Sequence, residues 1–235
     1  MKLRELFESS DEDRAIISLS TAIYDHIEHY EYDFDDEAIY VGKIGDLFDT
    51  PFTVLNNVSI ELQPAESMNP ELNPTDADVG RWDNKTATIL LNKDELGTNF
   101  LKTTISHELR HALDDYKSRA KTSLDKGRHV TPKNKAYRGV TNHPLLGDVS
   151  YIAQPVEINA RYVQVMHDMV PLIGRAANLP TDQARSNIMR HLNRLLNRYH
   201  IAQLFPEKEK SNDYKRIIKR AVAFIDKELA YATFK

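Results

Sequence analysis

The sequence predicts an α+β fold, in which a small mixed sheet precedes a long central helix and a helical C-terminal half. Segments rich in β-branched residues predict strands over residues 38–41, 52–62 and 86–92. Apolar residues recur at helical spacing elsewhere, which predicts helices over residues 12–30, 94–117, 155–170, 182–205 and 212–234. Residues 63–84 hold three prolines among polar residues and predict a long loop.

The composition is that of a globular protein and excludes several classes of site. The 235 residues are 41% hydrophobic and 28% charged, and none is cysteine. Disulfides, thiol chemistry and cysteine-bound metal are therefore excluded, so that any metal site must use His and carboxylates. No segment approaches the ~20 apolar residues that cross a bilayer, and acids stand where a signal peptide has its apolar core. We therefore expect an intracellular protein with no membrane partner.

Charge is distributed unevenly along the chain. Residues 1–100 carry 7 Lys and Arg against 22 Asp and Glu, whereas the remainder has a net charge of +11. Residues 117–139 hold eight Lys or Arg against one acid. A row of arginines follows in the C-terminal half: Arg185, Arg190, Arg194 and Arg198. The two halves of the chain either neutralise each other or leave a basic surface for nucleic acid.

The chemical signal of the sequence is the run from His107 to His111, which reads His-Glu-Leu-Arg-His. Since each helical residue advances about 100°, His107, Glu108 and His111 lie together on a polar arc beside an apolar face. Two imidazoles one turn apart can bind one Zn²⁺, while a third protein ligand leaves a position open for water. Zinc lowers the pKa of that water, and Glu108 is predicted to accept its proton as the general base.

Three residues are candidates for the third metal ligand. A third histidine directly downstream is absent, because position 117 is Lys117. Glu157, at the start of the next long helix, is favoured because rigid elements place ligands best. Asp148 and His143 are the alternatives. N and O donors at this spacing favour Zn²⁺ over other divalent metals.

These residues resemble those of a known enzyme group. The run from His107 to Tyr116, followed by Glu157-Ile158-Asn159-Ala160, resembles the gluzincin group of zinc metallopeptidases. The resemblance implies a zincin-like domain, ligands at His107, His111 and Glu157, and a general base at Glu108. It also implies that the strand at residues 86–92 binds extended substrate by edge pairing.

Domain boundaries follow from combining the motif with the pattern of helices. We expect an N-terminal helical segment over residues 1–36, a zincin-like metallopeptidase domain over 37–175, and a C-terminal helical hairpin over 176–235. The opening Met1-Lys2-Leu3-Arg4-Glu5-Leu6-Phe7-Glu8 is similar to the starts of some bacteriophage proteins. A bacteriophage origin would imply the host cytoplasm or the virion as the location.

Supporting groups are predicted around the motif. Metal-bound His usually donates its other N–H to a carboxylate or carbonyl, for which Asp114 and Asp115 are candidates. An oxyanion stabiliser is expected among a further set, with the first two favoured: His143, Tyr151, Tyr137 and Arg161.

The leading hypothesis is a hydrolase that cleaves peptide bonds in a peptide or protein. One alternative is a metal-stabilised binding or virion structural module without turnover, against which the intact Glu108 argues. Another is a nucleic-acid-associated protease that docks on phosphate through the 117–139 loop and the C-terminal helices.

Overall fold

The computed structural model describes residues 3–29, 38–68, 79–124, 142–143, 147–148, 155–205 and 207–233. Within these residues the protein is α+β, with a small mixed four-stranded sheet and mostly helical content. The predicted fold class is thereby confirmed at this level.

Seven helices and six strands are described. The helices are α1 (Leu3–His29), α2 (Ile44–Leu47), α3 (Ala65–Met68), α4 (Asn99–Leu124), α5 (Pro155–Ala176), α6 (Thr181–Arg198) and α7 (Asn212–Thr233). The strands are β1 (Ile39–Lys43), β2 (Ser59–Gln63), β3 (Gly80–Asp83), β4 (Thr88–Asn92), β5 (Asn142–His143) and β6 (Gly147–Asp148). Among the helices described, none carries an apolar stretch long enough to cross a bilayer.

The four-stranded sheet has the order β1-β2-β4-β3. Strands β2 and β4 are parallel, whereas β1 and β3 pair antiparallel to their neighbours. Every residue of β4 is buried, as expected for a central strand that is covered on both faces. Strands β1 and β3 therefore form the two edges of this sheet.

The β1 edge is irregular. Its register with β2 shifts between Tyr40 and Gly42, which marks a bulge. Gly42 has φ +146°, and a Cβ there would lie 2.7 Å from the Leu47 side chain. Glycine therefore permits both the backbone conformation and the close approach of α2.

Two of the loop and strand predictions were wrong. In the predicted strand at 52–62, Thr53–Leu55 is a 3₁₀ turn and the strand begins at Ser59. Asn56 and Asn57 favour a turn here, which overrides the preference of the β-branched residues before them. The predicted loop at 63–84 contains α3 and β3. The predicted long helices are confirmed, but their ends differ from the predicted ones by up to nine residues, the largest difference being the start of α1 at Leu3.

By compactness the chain divides into two units. One comprises residues 15–133 and contains the four-stranded sheet and α4, and the other comprises residues 1–14 and 134–235 and contains α5, α6 and α7. The boundaries expected after residues 36 and 175 stay predictions.

Each unit has its own apolar core. In the first unit, β2 and β4 contribute buried aliphatic residues and α4 packs its apolar face: Ile60, Leu62, Ile89, Leu91, Leu101, Ile105 and Leu109. In the second unit, the predicted stripe of α6 is buried: Ile188, Leu192, Leu195, Leu196 and Tyr199. The apolar residues that recur with a 3.6-residue period therefore mark the face of each helix that packs in the core.

A buried ion pair joins α1 and α7 within the second unit. Arg220 donates two hydrogen bonds to Asp13, which is fully buried, one of them from Nε at 3.0 Å. Its Nη1 donates to Asn159 Oδ1 on α5 at 2.6 Å, and the guanidinium lies 4.2 Å from the centroid of the Tyr162 ring. Burial, together with the nearby Asp13 charge, raises the pKa of Tyr162 well above its usual range.

We expect Arg220→Ala to lower the free energy of unfolding by about 3 kcal/mol, because it removes this cation from a buried carboxylate. Arg216→Ala is the matched control, since the exposed pair of Arg216 with Asp213 on the same helix contributes at most about 0.5 kcal/mol. Urea unfolding measures both. Equal losses for the two variants would contradict a stabilising role of the buried pair.

Candidate metal centre

The two histidines of the motif converge on one point. His107 and His111 lie one turn apart on α4, and their Nε2 atoms are 2.9 Å apart. The ring centroids are separated by 4.6 Å at an interplanar angle of 78°. Two Zn–N bonds of about 2.0–2.1 Å at a tetrahedral angle would hold such nitrogens about 3.3 Å apart. A shift of a few tenths of an ångström therefore suffices for both to bind one metal ion.

The polar arc of α4 is buried rather than solvated. His107 is 9% exposed and Glu108 is 5% exposed, and Thr104 on the same arc is 5% exposed. A motif that had arisen by chance on a surface helix would leave these groups in water. Burying a carboxylate costs free energy unless hydrogen bonds satisfy it, so that Glu108 requires donors at this position.

One such donor is the backbone of β3. The N–H of Trp82 donates to Glu108 Oε2 at 2.7 Å. In the antiparallel pairing of β3 with β4, Asn92 N–H donates to Val79 O at 2.9 Å, and Gly80 is opposite Leu91. Because the pairing alternates, the N–H and C=O groups of Gly80 and Trp82 face away from β4. Glu108 is therefore held at the outer edge of the sheet.

Gly80 allows β3 to lie against α4. A Cβ at this position would be 2.6 Å from the Thr104 methyl carbon, 3.3 Å from Leu91 Cδ2 and 3.4 Å from Glu108 Cγ. The threonine is buried and β-branched, so that its methyl group cannot turn away freely. The absence of a side chain at Gly80 thus sets the distance between the strand and the helix.

The position of β3 corrects one expectation of the sequence. The strand at 86–92 was predicted to bind substrate by edge pairing. In the structure this strand is β4, which lies between β2 and β3 and pairs with both, so that it is not an edge strand. The edge beside α4 is β3, which lay inside the predicted loop.

Asp83 closes the turn after β3 by accepting hydrogen bonds from Lys85 N and Thr86 Oγ1. The Lys85 bond contributes most to lowering the pKa of Asp83.

Glu157 lies in the first turn of α5 and is 2% exposed. Its Oε1 accepts a hydrogen bond from Arg161 Nε at 2.8 Å, one turn further along the helix. Arg161 Nη1 is in turn 3.5 Å from the carbonyl oxygen of Tyr199. The guanidinium predicted as an oxyanion stabiliser therefore fixes the orientation of the Glu157 carboxylate.

The three predicted ligands form a group that could hold a metal ion. His107, His111 and Glu157 each offer one ligand atom, and all of these atoms lie within 4.8 Å of one another. The donors are two imidazole nitrogens and one carboxylate oxygen, and this set suits Zn²⁺. These residues therefore fit the metal that the motif implies.

The remaining predicted residues have other surroundings or lie outside the described part. Asp114 accepts a bidentate ion pair from Arg110, at 3.1 Å from Nε and 2.6 Å from Nη2. The backbone of His143 pairs with that of Gly147, and the backbone of Asp148 pairs with that of Asn142, in the two-stranded sheet of β5 and β6. The side chains of His143 and Asp148 are not among those described. Tyr137, Tyr151 and residues 125–139 of the basic 117–139 segment lie outside the described residues. The first part of that segment was expected to be a loop, but α4 continues through it to Leu124.

Sequence reasoning missed Gly80 and Trp82. A signal was available in the aromatic residue two positions after the glycine, with the Asp83-Asn84 turn and the apolar strand beyond them. The three prolines upstream, together with the short length of β3, concealed it.

No family model matches the chain, and neither does any curated protein or solved structure. The gluzincin resemblance therefore remains a prediction from the motif residues.

We expect Gly80→Ala to destabilise the protein by about 1–3 kcal/mol, because the added methyl group overpacks the contact with Thr104. Gly174→Ala on α5 is the control, since nothing lies within 4 Å of its Cβ. Alanine loses less conformational freedom than glycine in a helix, so that this variant should be more stable by about 0.5–1 kcal/mol. Thermal unfolding measures both changes, and an undisturbed Gly80→Ala protein would refute the close packing.

Proposed function

We propose that the protein is a zinc-dependent metallopeptidase, which hydrolyses peptide bonds with Glu108 as the general base. The observation that carries the proposal is a buried carboxylate beside two convergent imidazoles. Glu108 is adjacent to His107 in the chain, is 5% exposed and accepts a backbone hydrogen bond from Trp82. A purely structural metal site needs ligands but not this additional carboxylate.

His107, His111 and Glu157 would hold the zinc ion. Three protein ligands leave a fourth position for water or substrate, which is the arrangement of catalytic rather than structural zinc. Zinc bound there would lower the pKa of a water molecule and polarise a substrate carbonyl. Arg161 supports the set by fixing one carboxylate oxygen of Glu157, and such outer partners keep ligands oriented.

Glu108 contributes proton transfer. Its carboxylate would accept a proton from the attacking water and deliver it to the nitrogen of the leaving amine. The hydrogen bond from Trp82 N–H to Oε2 restricts rotation of the carboxylate about its terminal torsion. Low exposure also strengthens the electrostatic interactions of this carboxylate. Positioning and burial together support the role of a general base.

The edge strand β3 supports an extended peptide as the substrate. The outward-facing groups of Gly80 and Trp82 can pair with a peptide backbone in the manner of an added strand. Trp82 N–H already donates to Glu108. Within the described residues, this leaves the C=O of Trp82 and the N–H and C=O of Gly80 for pairing. A peptide bound there would lie alongside the carboxylate that acts on it.

A metal-stabilised binding module without turnover is the alternative from a different class. It shares the ligands and differs in having no need of Glu108. Docking on nucleic acid, a bacteriophage origin and location in the host cytoplasm or the virion remain predictions from the sequence.

We expect Glu108→Gln to retain zinc and fold normally while the rate of peptide hydrolysis falls by about 10²–10⁴-fold, because the amide cannot accept the proton. Metal content by atomic absorption and cleavage of a denatured protein substrate measure the two properties. Hydrolysis at the wild-type rate would exclude the general-base role. A wild-type protein that binds zinc but never cleaves peptides would favour the binding module.

We expect Glu157→Ala to lower zinc affinity by at least about 100-fold, since it removes one of three protein ligands. Competition with a chromogenic chelator measures the affinity. Glu207→Ala is the control for loss of a carboxylate, because Glu207 is 70% exposed. If zinc affinity were unchanged in Glu157→Ala but reduced in Asp148→Ala, Asp148 rather than Glu157 would be the third ligand.

A further inference from the structure

A cleft of about 430 Å³ lies between α5, the turn after it, and α6. Its walls combine two kinds of side chain. Four lining residues are apolar and three are arginine or histidine, beside Asn187: Leu172, Ala176, Leu179 and Ile188, and Arg175, His191 and Arg194. Of the residues that the structure describes, no Asp or Glu lines the cleft. The cleft is therefore cationic at one part of its wall and apolar at another.

The two arginines of the cleft are not neutralised by acids. In the described part of the chain, neither Arg175 nor Arg194 has a carboxylate oxygen within 4.0 Å. Arg161 and Arg220, in the same compact unit, each bind a carboxylate. The charge of Arg175 and Arg194 is therefore available to an external anion.

Arg194 fixes the tautomer of the neutral His191 ring. His191 Nδ1 lies 3.0 Å from Arg194 Nη2, which can only donate. Nδ1 must therefore accept, so that the proton of the neutral ring is on Nε2. Arg175 Nε lies 3.4 Å from the carbonyl oxygen of Pro171 one turn back, which orients its side chain along α5. These contacts limit the rotation of the Arg175, His191 and Arg194 side chains in the wall of the cleft.

We propose that this cleft binds a carboxylate carried on an apolar body. The planar fork of an arginine matches the two oxygens of a carboxylate. Leu172, Leu179 and Ile188 would cover the apolar body. The volume falls within the range of small-molecule sites, about 300–1,000 Å³. A bare inorganic anion would leave the apolar wall in water and gain little from it.

Two sources share this chemistry, a free organic acid and the C-terminal residue of a peptide. The proposal does not rest on the zinc site, whose ligands are other residues. Titration of the ¹⁵N-labelled full chain with hexanoate and with N-acetyl-leucine, followed by NMR, tests both sources. We expect saturable shifts at the amides of Leu179 and Asn187, with a Kd that is roughly millimolar for ligands of this size. Tighter binding of N-acetyl-leucine would identify the peptide source, and tighter binding of hexanoate the organic acid.

The controls separate charge, apolar contact and folding. Hexanol lacks the carboxylate and inorganic phosphate lacks the apolar body, so that each should bind at least about tenfold more weakly than hexanoate. Arg194→Gln should weaken hexanoate binding by about tenfold or more, because charge-assisted hydrogen bonds are lost. Arg185→Gln removes the same charge from the same helix outside the cleft and should have no effect. An unchanged unfolding temperature would show that both variants are folded.

Three results would overturn the proposal. They are the absence of saturable shifts with either carboxylate, phosphate binding as tight as hexanoate binding, and equal effects of the Arg194 and Arg185 substitutions. Each can occur whether or not the protein hydrolyses peptides, so that failure here is distinguishable from failure of the proposed zinc chemistry.

Discussion

The arrangement of the candidate site depends on satisfying one buried carboxylate. Glu108 points from α4 to the outer edge of β3, where the N–H of Trp82 donates to it. Without backbone donors, a charge with so little exposure would be costly to the folded state. The donor is within reach because Gly80 lets the strand approach the helix, and the helix is held in turn by the apolar contacts of its opposite face. Strand, glycine and helix thus fix one side chain together.

The local part of this site was predictable from sequence, and the long-range part was not. Helical periodicity places His107, Glu108 and His111 on one arc, because the spacing of a helix is determined by its own backbone. The contact between Trp82 and Glu108 depends instead on strand pairing between distant segments. Three prolines and a strand of only four residues concealed that pairing. Glu157 was identified only as the favoured one of three candidates, since residues so far apart in the chain carry no common period.

The same distinction holds for the fold. The long helices were predicted because apolar residues recur over many turns, and the buried stripe of α6 followed that recurrence. The order of the sheet was not predicted, since β2 and β4 are parallel neighbours in the sheet although β3 lies between them in the sequence. The error at residues 52–62 has a local cause. β-branched residues there favour a strand, but two asparagines introduce a turn before the strand can begin.

The two edges of the sheet also bear on the solubility of the folded chain. Exposed strand edges invite pairing between molecules and hence aggregation. At one edge, the bulge near Gly42 interrupts the regular ladder that a second molecule would need. At the other, the carboxylate of Glu108 occupies the N–H of Trp82 and presents negative charge to any approaching carbonyl. If Glu108 is the general base that we propose, the same side chain also opposes edge-to-edge pairing between the sheets of two molecules.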